Sequence, residues 1–250
     1  AKDFSLPKEL LEQDCVISLS KMKTHALERI TGAVKNSYGF VYGFHKAKGH
    51  TQYPSADSFA RMLIDLNKCV APKLYVMDGI VAMEGNGPGS GDPVPMNVLL
   101  MSTDPVALDS VFSRLVYLKP EMVPTNYHGE KMGLGTWKEE EITLLTPDGE
   151  ISMAEAVKKY GNPAFNVDRT EVRKNIWTRM AGALNIFQKK PYIEADKCVR
   201  CGICVQSCPV PGKAVDFRKG KGKPPVYDYR KCIRCFCCQE MCPKKAIKVK

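Results

Sequence analysis

Nine of the chain's eleven cysteines lie between residues 198 and 242, and eight of them form two runs of one spacing. Cys198, Cys201, Cys204 and Cys208 are followed by Pro209; Cys232, Cys235, Cys238 and Cys242 are followed by Pro243. Each run reads C-x2-C-x2-C-x3-C-P, a spacing that holds 4Fe–4S clusters. Three thiolates two residues apart curl around one iron–sulfur cube, and the fourth points away to the other cube. The expected ligand sets therefore cross. Cys198, Cys201, Cys204 and Cys242 hold one cluster; Cys232, Cys235, Cys238 and Cys208 hold the other. The proline ends each ligand loop and donates no amide to a continuing strand. A zinc site of four thiolates is the main alternative, since two CxxC pairs suffice for it. It would leave the third and fourth cysteine of each run unexplained, and a redox dithiol or a disulfide scaffold would leave more.

A second constellation lies near the start. An apolar stretch, Cys15–Leu19, reads as a buried strand, followed by Lys21-Met22-Lys23-Thr24-His25 and Thr31-Gly32-Ala33-Val34-Lys35-Asn36. Open α/β sheets bind ligands at the carboxyl ends of their strands. On that reading Lys23 and Lys35 hold an anionic group, and His25 is the acid–base candidate for any catalysis. Lys21 adds charge. Thr24, Thr31 and Asn36 supply polar contacts, and Gly32 lets a backbone amide approach an anion. A solvated loop capping the next helix is the plainer alternative. Further on, Asp78, Glu84 and Asn86 surround a glycine-rich run, residues 85–93, and could orient a polar ligand or a divalent cation. That run is neither a phosphate-binding loop with a following Gly-Lys-Ser/Thr nor a dinucleotide fingerprint opening a helix.

The elements that must position these residues alternate. Helical periodicity spans Ser55–Val70, with Ser55 or Asp57 at the N-cap. Strands are expected at Lys73–Asp78, Asn97–Met101 and Glu141–Leu145. Helices are expected after Pro105 and over Met153–Tyr160, and Tyr38–His50 reads as an irregular loop. The pattern predicts an α/β sandwich with a largely parallel sheet over residues 1–169. A basic linker helix over 170–190 follows, then a small α+β two-cluster domain over 191–250. Cys15 and Cys69 read as buried small hydrophobes, and Cys237 as a residue packed beside a cluster.

Charge is uneven. Residues 191–250 carry 14 Lys and Arg against 5 Asp and Glu, whereas residues 1–190 carry 23 against 22. Two clusters with four thiolates each return about −4, so the tail keeps a surplus of about five positive charges. That suits a redox partner protein with an acidic docking surface, or a small anionic substrate. Nucleic acid is disfavoured, because Lys219, Lys221 and Lys223 alternate with glycine and no aromatic platform surrounds them. No apolar run is long enough to span a membrane, and no secretory leader is seen at the start. With eight cysteines reserved for metal, a reducing cytoplasm is the expected setting.

The motifs Lys21–His25, Thr31–Asn36 and Asp78-Gly79-Ile80…Glu84-Gly85-Asn86-Gly87-Pro88, with the later Thr103-Asp104-Pro105-Val106-Ala107, resemble the "domain of unknown function 362" family. Members of that family often carry a C-terminal two-cluster ferredoxin module, and Cys232-Ile233-Arg234-Cys235-Phe236-Cys237-Cys238 looks like theirs. Ser20 departs from the proline usual there. The related proteins look longer at the N-terminus, so the chain is expected to begin inside the α/β domain, with a sheet edge exposed or paired elsewhere. The resemblance implies an iron–sulfur protein with a ligand-binding α/β domain, and supplies no reaction. Two classes of function follow: electron delivery to a substrate or partner at the α/β domain, or a non-enzymatic carrier or reductive activator docking a metalloenzyme.

Overall fold

A computed structural model describes residues 1, 3–42, 45–171 and 189–250. They form two compact units, Ala1–Asp168 and Arg169–Lys250. Most of the expected linker helix over 170–190 lies outside the described residues.

In the first unit the elements run β1 (Ile17–His25), β2 (Arg29–Thr31), α1 (Ala33–Asn36), α2 (His45–Gln52), α3 (Ala56–Val70), β3 (Leu74–Glu84), β4 (Asp92–Ser102), α4 (Pro105–Leu115), α5 (Pro124–Lys131), β5 (Leu144–Thr146), β6 (Gly149–Ile151) and α6 (Met153–Tyr160). The main sheet has the order β2-β1-β3-β4. The α/β class is as expected, and its sheet is mixed. β1 and β3 are parallel, while β2 and β4 flank them antiparallel. The short links explain this: three residues join β1 to β2 and a glycine-rich turn joins β3 to β4, so both pairs close as hairpins, whereas β1 reaches β3 through the helical crossover that a parallel pair requires.

Two elements differ from the sequence reading because strands outrun their apolar centres. β1 extends through the basic motif, so Lys21 to His25 are strand residues rather than a loop after the strand. β3 continues past Asp78 to Glu84, bulging between Gly79 and Val81. Residues 38–50 hold a short 3-10 turn and the start of α2 rather than an irregular loop. Residues 141–145 contribute only β5, which pairs with β6 in a separate hairpin.

The core sits on one face of the sheet. Met22, Ile30, Met77, Val98, Leu108, Phe112 and Phe165 form one buried cluster, and Val34, Phe59, Leu63, Leu66 and Val106 a second around α3. α3 begins at a reciprocal Ser55–Ser58 capping box, worth about 1 kcal/mol. Ile17 and Leu19 point to the opposite face of the sheet and are 53% and 72% exposed. Cys15, just before β1, and Cys69, in the last turn of α3, are exposed rather than buried. Cys15 precedes the strand that reaches the core, and Cys69 lies on the exposed side of α3, whose next residue, Val70, packs on the core.

The second unit is built from short pieces: β7 (Pro191–Ile193), α7 (Ile203–Gln206), β8 (Val215–Asp216), β9 (Val226–Tyr227), α8 (Cys237–Glu240) and β10 (Ile247–Val249). β7 pairs with β10 and β8 with β9, both antiparallel. Half of its buried cluster is cysteine, with Cys204, Cys208 and Cys238 joined by Ala214, Val215 and Ile247. Such a core is too small to hold many ordered residues by apolar burial alone.

Candidate iron–sulfur centres and the α/β site

The two cysteine runs superimpose in sequence at an offset of 34, from Cys198 to Cys232 through Cys208 to Cys242. The backbone repeats with them. Arg200 and Gly202 have φ of 58° and 78°, and Arg234 and Phe236 have φ of 56° and 60°. A left-handed residue on alternate positions curls the loop and turns successive amides inward, the nest geometry that accommodates anions and iron–sulfur groups. Glycine takes this conformation freely at Gly202. At Phe236 the same turn is held by an L side chain, at a cost of about 1–2 kcal/mol.

Each loop then closes on a short helix and a further turn. Lys213 and Lys245, both left-handed, set the next amides against a cysteine: Ala214 N–H donates to Cys208 Sγ at 3.3 Å, and Ala246 N–H to Cys242 Sγ at 3.3 Å. Such donors stabilise negative charge on sulfur.

Two cavities separate the eight cysteines. One is lined by Cys198, Cys201, Cys204 and Cys242 together with Ile193 and Pro243. The other is lined by Cys208, Cys232, Cys235 and Cys238 together with Tyr227 and Pro209. Each cavity takes three cysteines from one run and the last cysteine of the other. Burial pushes the Cys204 thiol up to about 11 and raises Cys232, whereas the hydrogen bond from Cys237 lowers Cys235. The donor set, the nests and the cavities fit 4Fe–4S clusters.

In the first unit the structure divides the sequence-predicted site. Gly32 faces a carboxylate of the protein itself. Asp109 Oδ1 accepts from Ala33 N–H at 2.6 Å and Oδ2 from Val34 N–H at 3.1 Å, capping α1. Asn36 donates to Ser18 Oγ and the Leu19 carbonyl, tying α1 to β1. Asp78 forms an ion pair with Lys21 at 2.6 Å, which draws its carboxyl below the usual range. Glu84 accepts from Asn166 N–H at 2.7 Å. Asp78 and Glu84 thus serve different partners, and among the described residues of this unit no group of three His, Asp or Glu side chains suited to a metal ion is found. Gly32, Asn36, Asp78 and Glu84 have structural contacts, and the Asp78/Glu84/Asn86 set does not converge.

What does converge is the end of β1 with the glycine-rich turn. Thr24 Oγ1 donates to the Gly85 carbonyl at 3.0 Å and accepts from Gly87 N–H at 3.2 Å, which places Asn86 beside it. A Cβ on Gly87 would meet Thr24 Oγ1 at 2.5 Å. Lys23 lies between Thr31 of β2 and Met83 of β3, and Thr31 is buried. His25 is buried next door, and its Nδ1 accepts from Leu27 N–H at 3.2 Å and Glu28 N–H at 3.1 Å. With Nδ1 accepting two amides, the neutral ring carries its proton on Nε2 and is a donor there rather than a base at Nδ1.

The sequence reading missed Glu28. It is fully buried, and neither carboxylate oxygen has a hydrogen-bond partner among the described residues. Burial above all, then the negative charge of Asp57, pushes its carboxyl well above the usual range, against the opposing pull of Lys35. Nothing local signals this, because an acid in a hairpin turn reads as solvated. A neutral carboxyl has little to lose by becoming an amide. Glu28→Gln should therefore leave the unit's urea midpoint unchanged or higher at pH 7. A large fall would show that the carboxylate holds a cation there.

Two stretches of the chain match known families. Residues 1–114 match the family described as domain of unknown function (DUF362), and residues 190–243 match the 4Fe-4S dicluster domain. A Synechocystis protein named thylakoid-associated protein sll1697 is 42% identical over 130 residues, which cover 52% of this chain and 40% of that protein. The aligned part thus spans less than half of that relative's length. No solved structure matches the chain. The chain thus carries a stretch similar to the DUF362 family and, after it, a stretch similar to the 4Fe-4S dicluster domain.

Proposed function

We propose that the chain is an electron-transfer protein that holds two 4Fe–4S clusters, one by Cys198, Cys201, Cys204 and Cys242 and one by Cys232, Cys235, Cys238 and Cys208. The observation that carries this is the sorting of the eight cysteines into two cavities, each drawing on both runs. Bound clusters supply one-electron redox chemistry. The polypeptide supplies thiolates, inward amides and a low-polarity lining that keeps water from the sulfurs. A cytoplasmic, reducing setting suits the eleven cysteines, all of which are free.

Electrons pass from this unit to a substrate or partner of the α/β unit. Fusion makes that delivery intramolecular and raises the effective concentration of the carrier. In the catalytic form of this reading, Lys23 and Lys35 attract an anionic group and His25 donates from Nε2. The structural commitments of Gly32, Asn36, Asp78 and Glu84 favour the second form, in which the α/β unit docks a metalloenzyme and the chain is a carrier or reductive activator.

Both forms use the basic tail, which with clusters bound keeps about five positive charges for an acidic partner surface. Reduced protein mixed with an acidic flavodoxin as probe should be reoxidised at least about tenfold more slowly in 300 mM than in 20 mM salt. A rate independent of salt would remove the acidic-partner part of the proposal.

A further inference from the structure

The offset of 34 that superimposes the two cysteine runs also reveals where they differ. Five residues before Cys232 stands Tyr227, and five before Cys198 stands Ile193. Each lines its own run's cavity. The Tyr227 hydroxyl donates to Cys238 Sγ at 3.1 Å, a donor that Ile193 cannot supply to Cys204. Tyr227 is held in place by β9 and by stacking on Tyr229, with ring centroids 5.6 Å apart and planes 13° apart. Tyr229 is anchored in turn through its hydroxyl to the Pro191 carbonyl at 2.9 Å.

A second difference lies inside the runs. Cys237 is buried between Cys235 and Cys238 and is in hydrogen-bonding contact with Cys235, where the first run has Ile203. By contrast, the backbone donors are matched, Ala214 to Cys208 and Ala246 to Cys242. The asymmetry is therefore one of side chains, a hydroxyl and a thiol on one site against two isoleucines on the other.

Hydrogen bonds to cluster sulfurs favour the more negative, reduced state and raise the potential, whereas burial lowers it. The two effects oppose here. Cys235 and Cys238 are buried, while Cys201 is exposed. The Tyr227 hydroxyl and the Cys237 thiol act in direct contact with ligand sulfurs, so the directional donors decide.

We infer that Tyr227, assisted by Cys237, makes the Cys208/Cys232/Cys235/Cys238 cluster the more easily reduced of the two, so that a single electron rests there and the Cys198/Cys201/Cys204/Cys242 cluster is the low-potential side. This rests on the two-cluster reading of the proposed function. Tyr227 is a tuning residue that acts through Cys238, and no protein bond is made or broken when the electron changes site.

The test is a reductive titration of the full chain, followed by electron paramagnetic resonance, with iron counted in every sample. Wild-type protein should show two separated midpoints. Tyr227→Phe should lower the upper midpoint and leave the lower one in place, with unchanged iron content. Cys237→Ala should shift the same midpoint the same way. The reciprocal Ile193→Tyr, if it retains iron, should raise the lower midpoint and narrow the gap. Coincident wild-type midpoints, or an upper midpoint that Tyr227→Phe does not move, would overturn the inference while leaving two clusters standing. Fewer irons than two cubes require would instead sink the two-cluster reading itself.

Discussion

Replacing Cys242 by alanine should remove the cluster of the first cysteine run, although Cys242 belongs to the second. The protein should lose about half of its iron and sulfide. The reason is geometric. Cys242 lines the cavity of Cys198, Cys201 and Cys204, while Cys208 lines that of Cys232, Cys235 and Cys238. Removing one of four thiolates opens a corner of the cube to water. The crossing makes a sharper expectation than the loss alone. Cys198→Ala and Cys242→Ala should leave the same residual spectrum, and Cys208→Ala should share the other with Cys232→Ala. Pairing of Cys242→Ala with Cys232→Ala would refute the crossed sets. Because half of this unit's buried cluster is ligand cysteine, each loss should also make the unit easier to proteolyse.

The largest effect expected in the α/β unit is at Gly32. A methyl group there would overlap the Asp109 carboxylate and approach Met77 Cε to 2.6 Å. Asp109 is wholly buried on α4 and fixed by its two amide bonds, so it has no free space to retreat into. Gly32→Ala should lower stability by about 2–4 kcal/mol, from overpacking plus a weakened buried cap, read as a fall in the urea midpoint.

Asp109 also brings a pH signature. Burial pushes its carboxyl up to about 7, against the pull of the two amides, so the native state holds a proton that the unfolded state has already released. Its contribution is then full below about pH 4 and is lost as pH rises toward 7, on the order of 4 kcal/mol. Asp109→Asn should flatten the stability profile over that window relative to wild type. A wild-type profile whose difference from Asp109→Asn is level between pH 4 and 7 would contradict this assignment.

The contrast between these two sites shows what a sequence makes legible. Metal ligation needs a short, fixed spacing along one strand of chain, so the cysteine runs could be read directly, down to the fold class of their small unit. The same holds for α3 and α6, whose periodicity and serine caps are local. The α/β site depended on pairing between distant segments. The carboxylate that meets the α1 amides comes from α4, and Glu84 spends its carboxylate on Asn166. No spacing rule announces either partner. Glu28 was invisible for the same reason, since its burial is made by elements that follow it. β1 ran on through a basic motif because its neighbours on both sides supplied pairing, which overrode the polar composition of Lys21 to His25.

Protein purified without oxygen and weighed intact by native mass spectrometry reads the metal content directly. The mass above that of the polypeptide should equal two cubes, about eight irons and eight sulfides per chain. Additional bound mass would mark the α/β unit as a ligand site and favour the catalytic form of the proposal. Zinc in place of iron, or a mass equal to the bare chain, would contradict it.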